Sequence, residues 1–306
     1  MQRVLVTGAT GFVGRHCLEQ LGSSEVEVHA VSSRSGPGSN DAGVNWHTAD
    51  LLDPERVGEL VREVRPTHLL HLAWYVDPST YRTSPLNFAW VEASLRLLRH
   101  FAAGGGQRAV MVGTCFEYRL SRGFCTEHET PLDPTTPYGA CKASLSSLFE
   151  SFCATHDISG AWARPFFFFG PHEPREKLLG SVASTLLDGQ PARCTHGGQL
   201  RDYLHVADVA GGILALLDSD VTGPVNIARG APTTLRELID GVARRLGRSD
   251  DVHYGAIAAP DDEPPLIVGD VRRISREVGW NPTLNLEAGL DETVEWWRRQ
   301  HSEENS

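Results

Sequence analysis

The stretch VLVTGATGFVGRH, Val4 to His16, decides how this chain is read. A run of apolar β-formers ends at Thr7, glycines follow at equal spacing at Gly8, Gly11 and Gly14, and a helix-compatible segment then begins. In such a strand–turn–helix the first glycine permits the tight turn, the second lets backbone approach a pyrophosphate, and the third lets the helix close on the sheet. The helix N-terminus then supplies unpaired N–H groups for the phosphates. The segment from Gly8 through Thr10, Gly11, Phe12 and Val13 to Gly14 therefore reads as a dinucleotide cradle, because strand, helix and turn agree.

Outward from that turn, apolar β-rich runs (RVLVTG, VEVHAV, VNWHTA, THLLHLA, RAVMVG, GAWARPFFFF) alternate with segments of 3.6-residue period such as PERVGELVREV and VEASLRLLRHF. That alternation predicts an α/β fold, a doubly wound parallel sheet covered by helices. After FFFFGPHEP the regularity breaks. We expect a dinucleotide-binding unit over residues 1–169 and a smaller substrate lobe over 170–306, with part of 203–228 returning to the first unit. The stretch SRSGPGSNDAG reads as an exposed loop.

Composition narrows the partners. The chain has 306 residues and a formal charge of −11, which argues against nucleic acid or an anionic membrane as a generic partner. No window has the ~18 apolar residues of a membrane span and the opening residues lack signal-peptide architecture, so a cytoplasmic protein is expected. The six cysteines, Cys17, Cys115, Cys125, Cys141, Cys153 and Cys194, show neither a C-x-x-C pair nor zinc spacing, so reduced structural thiols and no metal are expected.

Three further segments carry chemistry. At the end of the second strand, where NAD sites place an acidic side chain, this chain has Ser32, Ser33 and Arg34; hydroxyls and a guanidinium favour the 2′-phosphate of NADP, with NAD admissible. In PYGACKAS, Tyr138 and Lys142 lie four apart, hence on one helix face, where the ammonium can stabilise a tyrosinate and reach a ribose. Thr114, at the expected end of the strand in VMVGTCFEY, is placed to hydrogen-bond the same substrate oxygen as Tyr138.

With these residues the chain resembles the extended short-chain dehydrogenase/reductase family, in its nucleotide-sugar epimerase, dehydratase and reductase branch. The resemblance runs through TGATGFVG, ADLLD, HLAW, GTCFEY, YGACK, FFFFGP, LRDYLHVADVA and VGWNP. It implies a Rossmann sheet and a catalytic set of Thr114, Tyr138 and Lys142. It implies cofactor contacts at Asp50, Leu51, Leu72, Ala73, Trp74 and Pro165, and Arg201 as the arginine gripping the nucleotide diphosphate. It also implies a homodimer built on the helix carrying Tyr138 and the helix VEASLRLLRHF.

Departures from the family pattern choose among its chemistries. The positions after Thr114, which in 4,6-dehydratases are Asp and Glu, are Cys115 and Phe116 here, so elimination is not expected. Both stand on the substrate side of the motif, with Cys115 read as packing. Phe167 replaces the Asn of R-x-F-N as a substrate contact, and Trp90 replaces a helix Asn, with Asn87 one turn earlier. The acidic run Asp261, Asp262, Glu263 would repel a diphosphate, so either it points to solvent or Arg175 and Lys177 supply cations. His196, His205, Trp296 and Trp297 read as structural. The expectation is an NADPH-dependent reductase of a nucleotide-linked 4-keto-deoxyhexose. A nucleotide-sugar 4-epimerase is the alternative, followed by a reductase of a non-nucleotide ketone or a non-catalytic NADP-binding regulator.

Overall fold

A computed structural model describes residues 2–22, 26–34, 43–261 and 263–305; most of the SRSGPGSNDAG loop and Asp262 lie outside them. Among the described residues, seven strands form one parallel sheet in the order β12-β7-β5-β4-β1-β2-β3. They are β1 Arg3–Thr7, β2 Glu27–Ser32, β3 Val44–Thr48, β4 His68–His71, β5 Arg108–Val112, β7 Ser159–Pro165 and β12 Gly223–Ile227. Strand order reverses beside β1, so the glycine turn opens at the switch point where α/β sheets bind ligands. This is the expected Rossmann-like architecture.

Strand periodicity divides the core. Val4 and Val6 face one cluster with Val28, Ala30 and Ala163, covered by α1 (Phe12–Leu21) and α6 (Val206–Asp218). Leu5 and Val31 face the opposite cluster, covered by α2 (Pro54–Val64), α3 (Leu86–Ala103) and α4 (Pro137–His156). A third cluster joins α5 (Leu178–Leu187), α7 (Leu235–Leu246) and α9 (Leu286–Glu304). Buried Trp297 belongs to it, Trp296 packs 5.0 Å from His172, and both lie within α9.

Short strands finish the structure around the mouth of the sheet. A four-stranded sheet runs β13 (Thr233–Thr234), β10 (Leu200–Arg201), β15 (Leu266–Gly269) and β6 (Phe124–Cys125). Two-stranded pairs join β8 (Phe167–Phe169) to β11 (Tyr203–His205) and β9 (Ala192–Arg193) to β14 (Val252–His253). GAWARPFFFF is thus two strands broken at Phe166, because β8 leaves the main sheet to pair with β11. Short α8 (Arg272–Arg276) follows β15. The carboxylate of Asp202 ties these pieces together, accepting the N–H groups of Arg229 (2.8 Å), Gly230 (2.9 Å) and Gly269 (3.1 Å).

Candidate active site

The turn after β1 requires its glycines. Gly8 has φ 69°, and a Cβ there would lie 2.7 Å from the Ala73 nitrogen; one at Gly14 would lie 2.2 Å from the Gly8 carbonyl oxygen. The Gly11 N–H donates to the Gly8 carbonyl at 3.0 Å, and α1 starts with no side-chain cap on its first N–H groups. Uncapped amides behind a turn with no room for side chains fit a dinucleotide diphosphate. Beneath the turn, His71 bridges Thr7 Oγ1 (2.7 Å) and Ser94 Oγ (2.9 Å), and burial pulls it down to about 3, so it stays neutral.

The remaining cofactor-side positions surround that turn. Ser32 ends β2 with its hydroxyl accepting the Arg34 N–H (3.2 Å), and Ser33 and Arg34 are exposed beside it. Leu51 is buried, while exposed Asp50 accepts the Leu52 N–H (3.0 Å). Leu72 and Ala73 are half-buried at the end of β4, and Pro165 is buried at the end of β7. Trp74 donates its indole N–H to Asn87 (2.7 Å), whose amide in turn donates to the Tyr81 (2.7 Å) and Ser84 (2.9 Å) carbonyls. Buried Asn87 is fully occupied in holding the 74–87 segment, and Trp90 packs on Trp74 at 6.1 Å.

Tyr138, Lys142 and Thr114 converge, with two corrections to the sequence reading. First, β5 ends at Val112, and Thr114 instead caps a 3₁₀ turn, Cys115–Glu117. Gly113 allows this: a Cβ there would lie 2.1 Å from Glu117 Oε1 and 2.2 Å from Trp162 Nε1. Second, Cys115 does not face substrate; it is buried with Tyr118, Cys125, Phe166 and Ile267, its thiol pushed up by desolvation.

Both Tyr138 and Lys142 are buried. Desolvation raises the Tyr138 phenol, opposed by the nearby Thr114 side chain, and its ring meets Tyr81 edge-on at 4.9 Å. The Lys142 ammonium donates to the Val112 carbonyl (2.7 Å) and lies 3.7 Å from the Trp74 ring centroid. Burial lowers it to about 7, with the Glu117 carboxylate pulling the other way.

Glu117 escaped the sequence reading. Fully buried, it accepts the Thr114 N–H (2.8 Å), the Trp162 indole N–H (3.0 Å) and the Arg164 Nε–H (2.7 Å). Arg164 also donates to the Tyr118 hydroxyl (3.1 Å), which donates to Asn226 (2.7 Å). A buried carboxylate held by these three donors fixes the Thr114 backbone and is committed to its ion pair with Arg164. The only sequence signal was a glutamate inside a segment that had to be core.

The mouth of the site is aromatic. Phe116 and Phe167 meet at 5.9 Å, Phe167 packs on Tyr203 at 5.5 Å, and the Arg82 guanidinium lies 4.7 Å from the Phe116 centroid. Arg201 is buried and paired to Glu263 at 2.8 Å. The acidic run therefore does not all face solvent: Asp261 is exposed, but Glu263 turns inward. Lys177 stands over Phe168 (5.0 Å) and Phe12 (5.9 Å) with burial lowering it, next to Glu173, which desolvation lifts to about 8. Arg175 forms an exposed pair with Glu304 of α9 at 2.9 Å and lies 5.9 Å from the Trp297 ring centroid. His205 Nδ1 accepts the Ala207 N–H at the start of α6, and exposed His196 accepts the Gly198 N–H of its own turn (2.9 Å). The cysteines are all buried and unpaired.

Comparison with known proteins completes the picture. Residues 4–228 match the model of the NAD dependent epimerase/dehydratase family. The chain belongs to that family. It is 29% identical over 317 residues to the dTDP-glucose 4,6-dehydratase of Streptomyces griseus, covering 98% of this chain and 95% of that one. It is 27% identical over 325 residues to the UDP-glucose 4-epimerase of Mycolicibacterium smegmatis, covering 97% and 99%. The UDP-glucose 4-epimerase of Thermus thermophilus, solved with NAD, superposes with a TM-score of 0.85 at 26% identity, covering 97% of this chain and 99% of that one. As a member of the epimerase/dehydratase family the chain is an oxidoreductase-type enzyme. No helix among the described residues is long and apolar enough to cross a membrane.

Proposed function

We propose that this enzyme is a nucleotide-sugar 4-epimerase working by reversible hydride transfer at one secondary carbon, with Thr114, Tyr138 and Lys142 as its catalytic residues. One observation carries the choice among the family's chemistries. Tyr138 and Thr114 are assembled, yet the next two side chains are a core thiol and a phenyl ring, and the neighbouring carboxylate is locked to Arg164 and Trp162. Elimination of water needs a free acid and base beside the reacting carbon, and hydride transfer does not.

The bound nicotinamide supplies the hydride acceptor and donor. It would be held by Gly8, Thr10, Gly11, Phe12, Val13 and Gly14 at the diphosphate, by Ser32, Ser33, Arg34, Asp50 and Leu51 at the adenosine end, and by Leu72, Ala73, Trp74 and Pro165 along its length. Tyr138 takes the hydroxyl proton of the sugar and returns it. Thr114 hydrogen-bonds the same oxygen. The Lys142 ammonium favours the tyrosinate and is kept from water by Trp74. Phe116, Phe167 and Tyr203 shield the reacting carbon, and Arg201 and Lys177 take the nucleotide diphosphate.

A net NADPH-dependent 4-ketoreductase of a deoxyhexose nucleotide is the second reading, favoured by Ser32, Ser33 and Arg34 standing where an acidic residue marks NAD. We also propose a cytoplasmic homodimer, supported by six unpaired cysteines and by exposed Leu86, Phe88 and Leu148 on the adjoining helices α3 and α4. Residues 1–169 with 203–228 would form the cofactor unit. Incubation with UDP-glucose should give its 4-epimer with no net change in nicotinamide absorbance. Stoichiometric oxidation of NADPH by a 4-keto-6-deoxyhexose nucleotide would establish the reductase instead, and a 4-keto product formed from dTDP-glucose would overturn both. Tyr138→Phe should lower activity by roughly two to four orders of magnitude while cofactor still binds.

A further inference from the structure

Arg82 stands beside the catalytic residues without a counter-charge. It lies in the segment between β4 and α3, and its carbonyl oxygen accepts the Tyr138 N–H at 3.1 Å. Half-buried Tyr81 meets the Tyr138 ring edge-on, and its hydroxyl oxygen accepts the Arg82 Nε–H at 3.1 Å. On the other side the guanidinium lies 4.7 Å from the ring centroid of Phe116, two residues after Thr114. The head of Arg82 is thus held between close neighbours of Tyr138 and Thr114, the two residues placed on the reacting oxygen. Arg119 and Arg175 are also exposed, yet each pairs with a carboxylate. Arg82 has no ion pair among the described residues, and its two terminal nitrogens have no hydrogen-bond partner there. Burial pulls the Lys177 ammonium down, Glu173 opposes the shift and the Arg82 charge adds to it, so the two cations lie within each other's field.

We infer that Arg82 is a specificity-determining residue that receives a carboxylate on the sugar, which makes the substrate class a nucleotide-linked hexuronic acid. The inference rests on the proposed 4-epimerase reading. With Thr114 and Tyr138 on the C4 oxygen, the exocyclic carbon on C5 is a substituent next to the reacting centre. As a carboxylate it presents two oxygens to the two terminal nitrogens of the guanidinium, a bidentate and charge-assisted pairing. A hydroxymethyl group there offers one neutral oxygen and leaves the charge to water. Phe116 and Tyr81 hold the guanidinium in place, so little side-chain freedom is lost when the anion arrives.

The test uses the full chain saturated with NAD, as wild type, Arg82→Met, Arg82→Lys and an Arg119→Met control that removes a cation paired with Asp133. Epimer formation from UDP-glucuronate and from UDP-glucose gives kcat/KM for each, and calorimetry gives Kd for both and for UDP. The wild type should prefer UDP-glucuronate by about 10- to 100-fold in Kd and in kcat/KM. Arg82→Met should bring the two sugars close to parity, and Arg82→Lys should keep part of the preference. Arg119→Met should keep all of it, and UDP, which lacks the sugar, should bind Arg82→Met within about threefold of the wild type. Thermal unfolding verifies that each variant is folded. Equal or absent binding of the two sugars by the wild type overturns the inference. A loss in Arg82→Met that is the same for both sugars and for UDP overturns it too, because the arginine then serves the diphosphate. If neither sugar is epimerised while the Arg82-dependent preference in Kd persists, the epimerase reading fails and the carboxylate assignment stands.

Discussion

Gly14→Ala tests the cofactor cradle without any assumption about substrate. The added Cβ would stand 2.2 Å from the Gly8 carbonyl oxygen and 2.8 Å from that of Ala9, both backbone atoms, whereas real Cβ atoms essentially never come within 3.0 Å. The first turn of α1 must therefore back away from the glycine turn. Losing one charge-assisted hydrogen bond to a phosphate costs about 1.5–3 kcal/mol, roughly 10- to 100-fold in dinucleotide Kd. Overpacking of the helix against the turn costs about 1–3 kcal/mol of stability besides. Gly11→Ala separates the two effects: its φ is −73° and its nearest contact is 3.1 Å, so it should lose less than about 1 kcal/mol of stability, while its Cβ stands where backbone approaches the diphosphate and dinucleotide binding falls. Fluorescence titration with NADH and NADPH, paired with thermal unfolding, reads both effects. If Gly14→Ala binds both nucleotides within twofold of the wild type at an unchanged Tm, the cradle is wrongly placed.

Arg34→Asp should weaken NADPH binding by ~1.5–3 kcal/mol and leave NADH unharmed; an unchanged NADPH to NADH ratio removes Arg34 from the site. Glu117→Gln strands Arg164 in the core and should cost about 3–5 kcal/mol in denaturant unfolding, with Glu117→Gln/Arg164→Met recovering much of it. Folded Lys142 titrates near 7, but the unfolded side chain holds its proton to about 10.5, so the unfolded state binds more protons across that window and stability rises with pH. Between pH 7.5 and 9.5 the wild type should therefore gain about 2 kcal/mol relative to Lys142→Met, as read from denaturation midpoints. Phe88→Glu, on a side chain 60% exposed, should convert a sedimenting dimer to monomer if α3 and α4 form the interface.

What could be read from the sequence was local. The glycine turn was legible because crowding and positive φ forbid other residues there, and the Tyr138–Lys142 pair because a spacing of four fixes one helix face. What stayed hidden was pairing between residues far apart along the chain. Glu117 draws its role from Trp162, 45 residues on, and Arg201 is neutralised from 62 residues away. Arg175 likewise meets Glu304, 129 residues distant. Thr114 was placed at a strand end because the run VMVGTC has no visible stop; the stop is Gly113, where the Trp162 indole and the Glu117 carboxylate fill the space of a side chain.

The edge strand β12 also dictates the order in which the protein can be completed as it is made. Residues 223–227 close the main sheet, and α6, which covers one of its faces, begins only at Val206. Once β7 has left the ribosome it has one edge bare, and Val4, Val6 and Ala163 have only α1 to cover them. The nascent chain must stay in this state while β8 to β11 are synthesised, and the sheet becomes whole only after Ile227 emerges. The same route makes the molecule a poor subject for dissection. A cut at the foot of β7 gives an unfinished core rather than a portable cofactor module, so exchange of substrate elements between relatives has to preserve the return through α6 and β12.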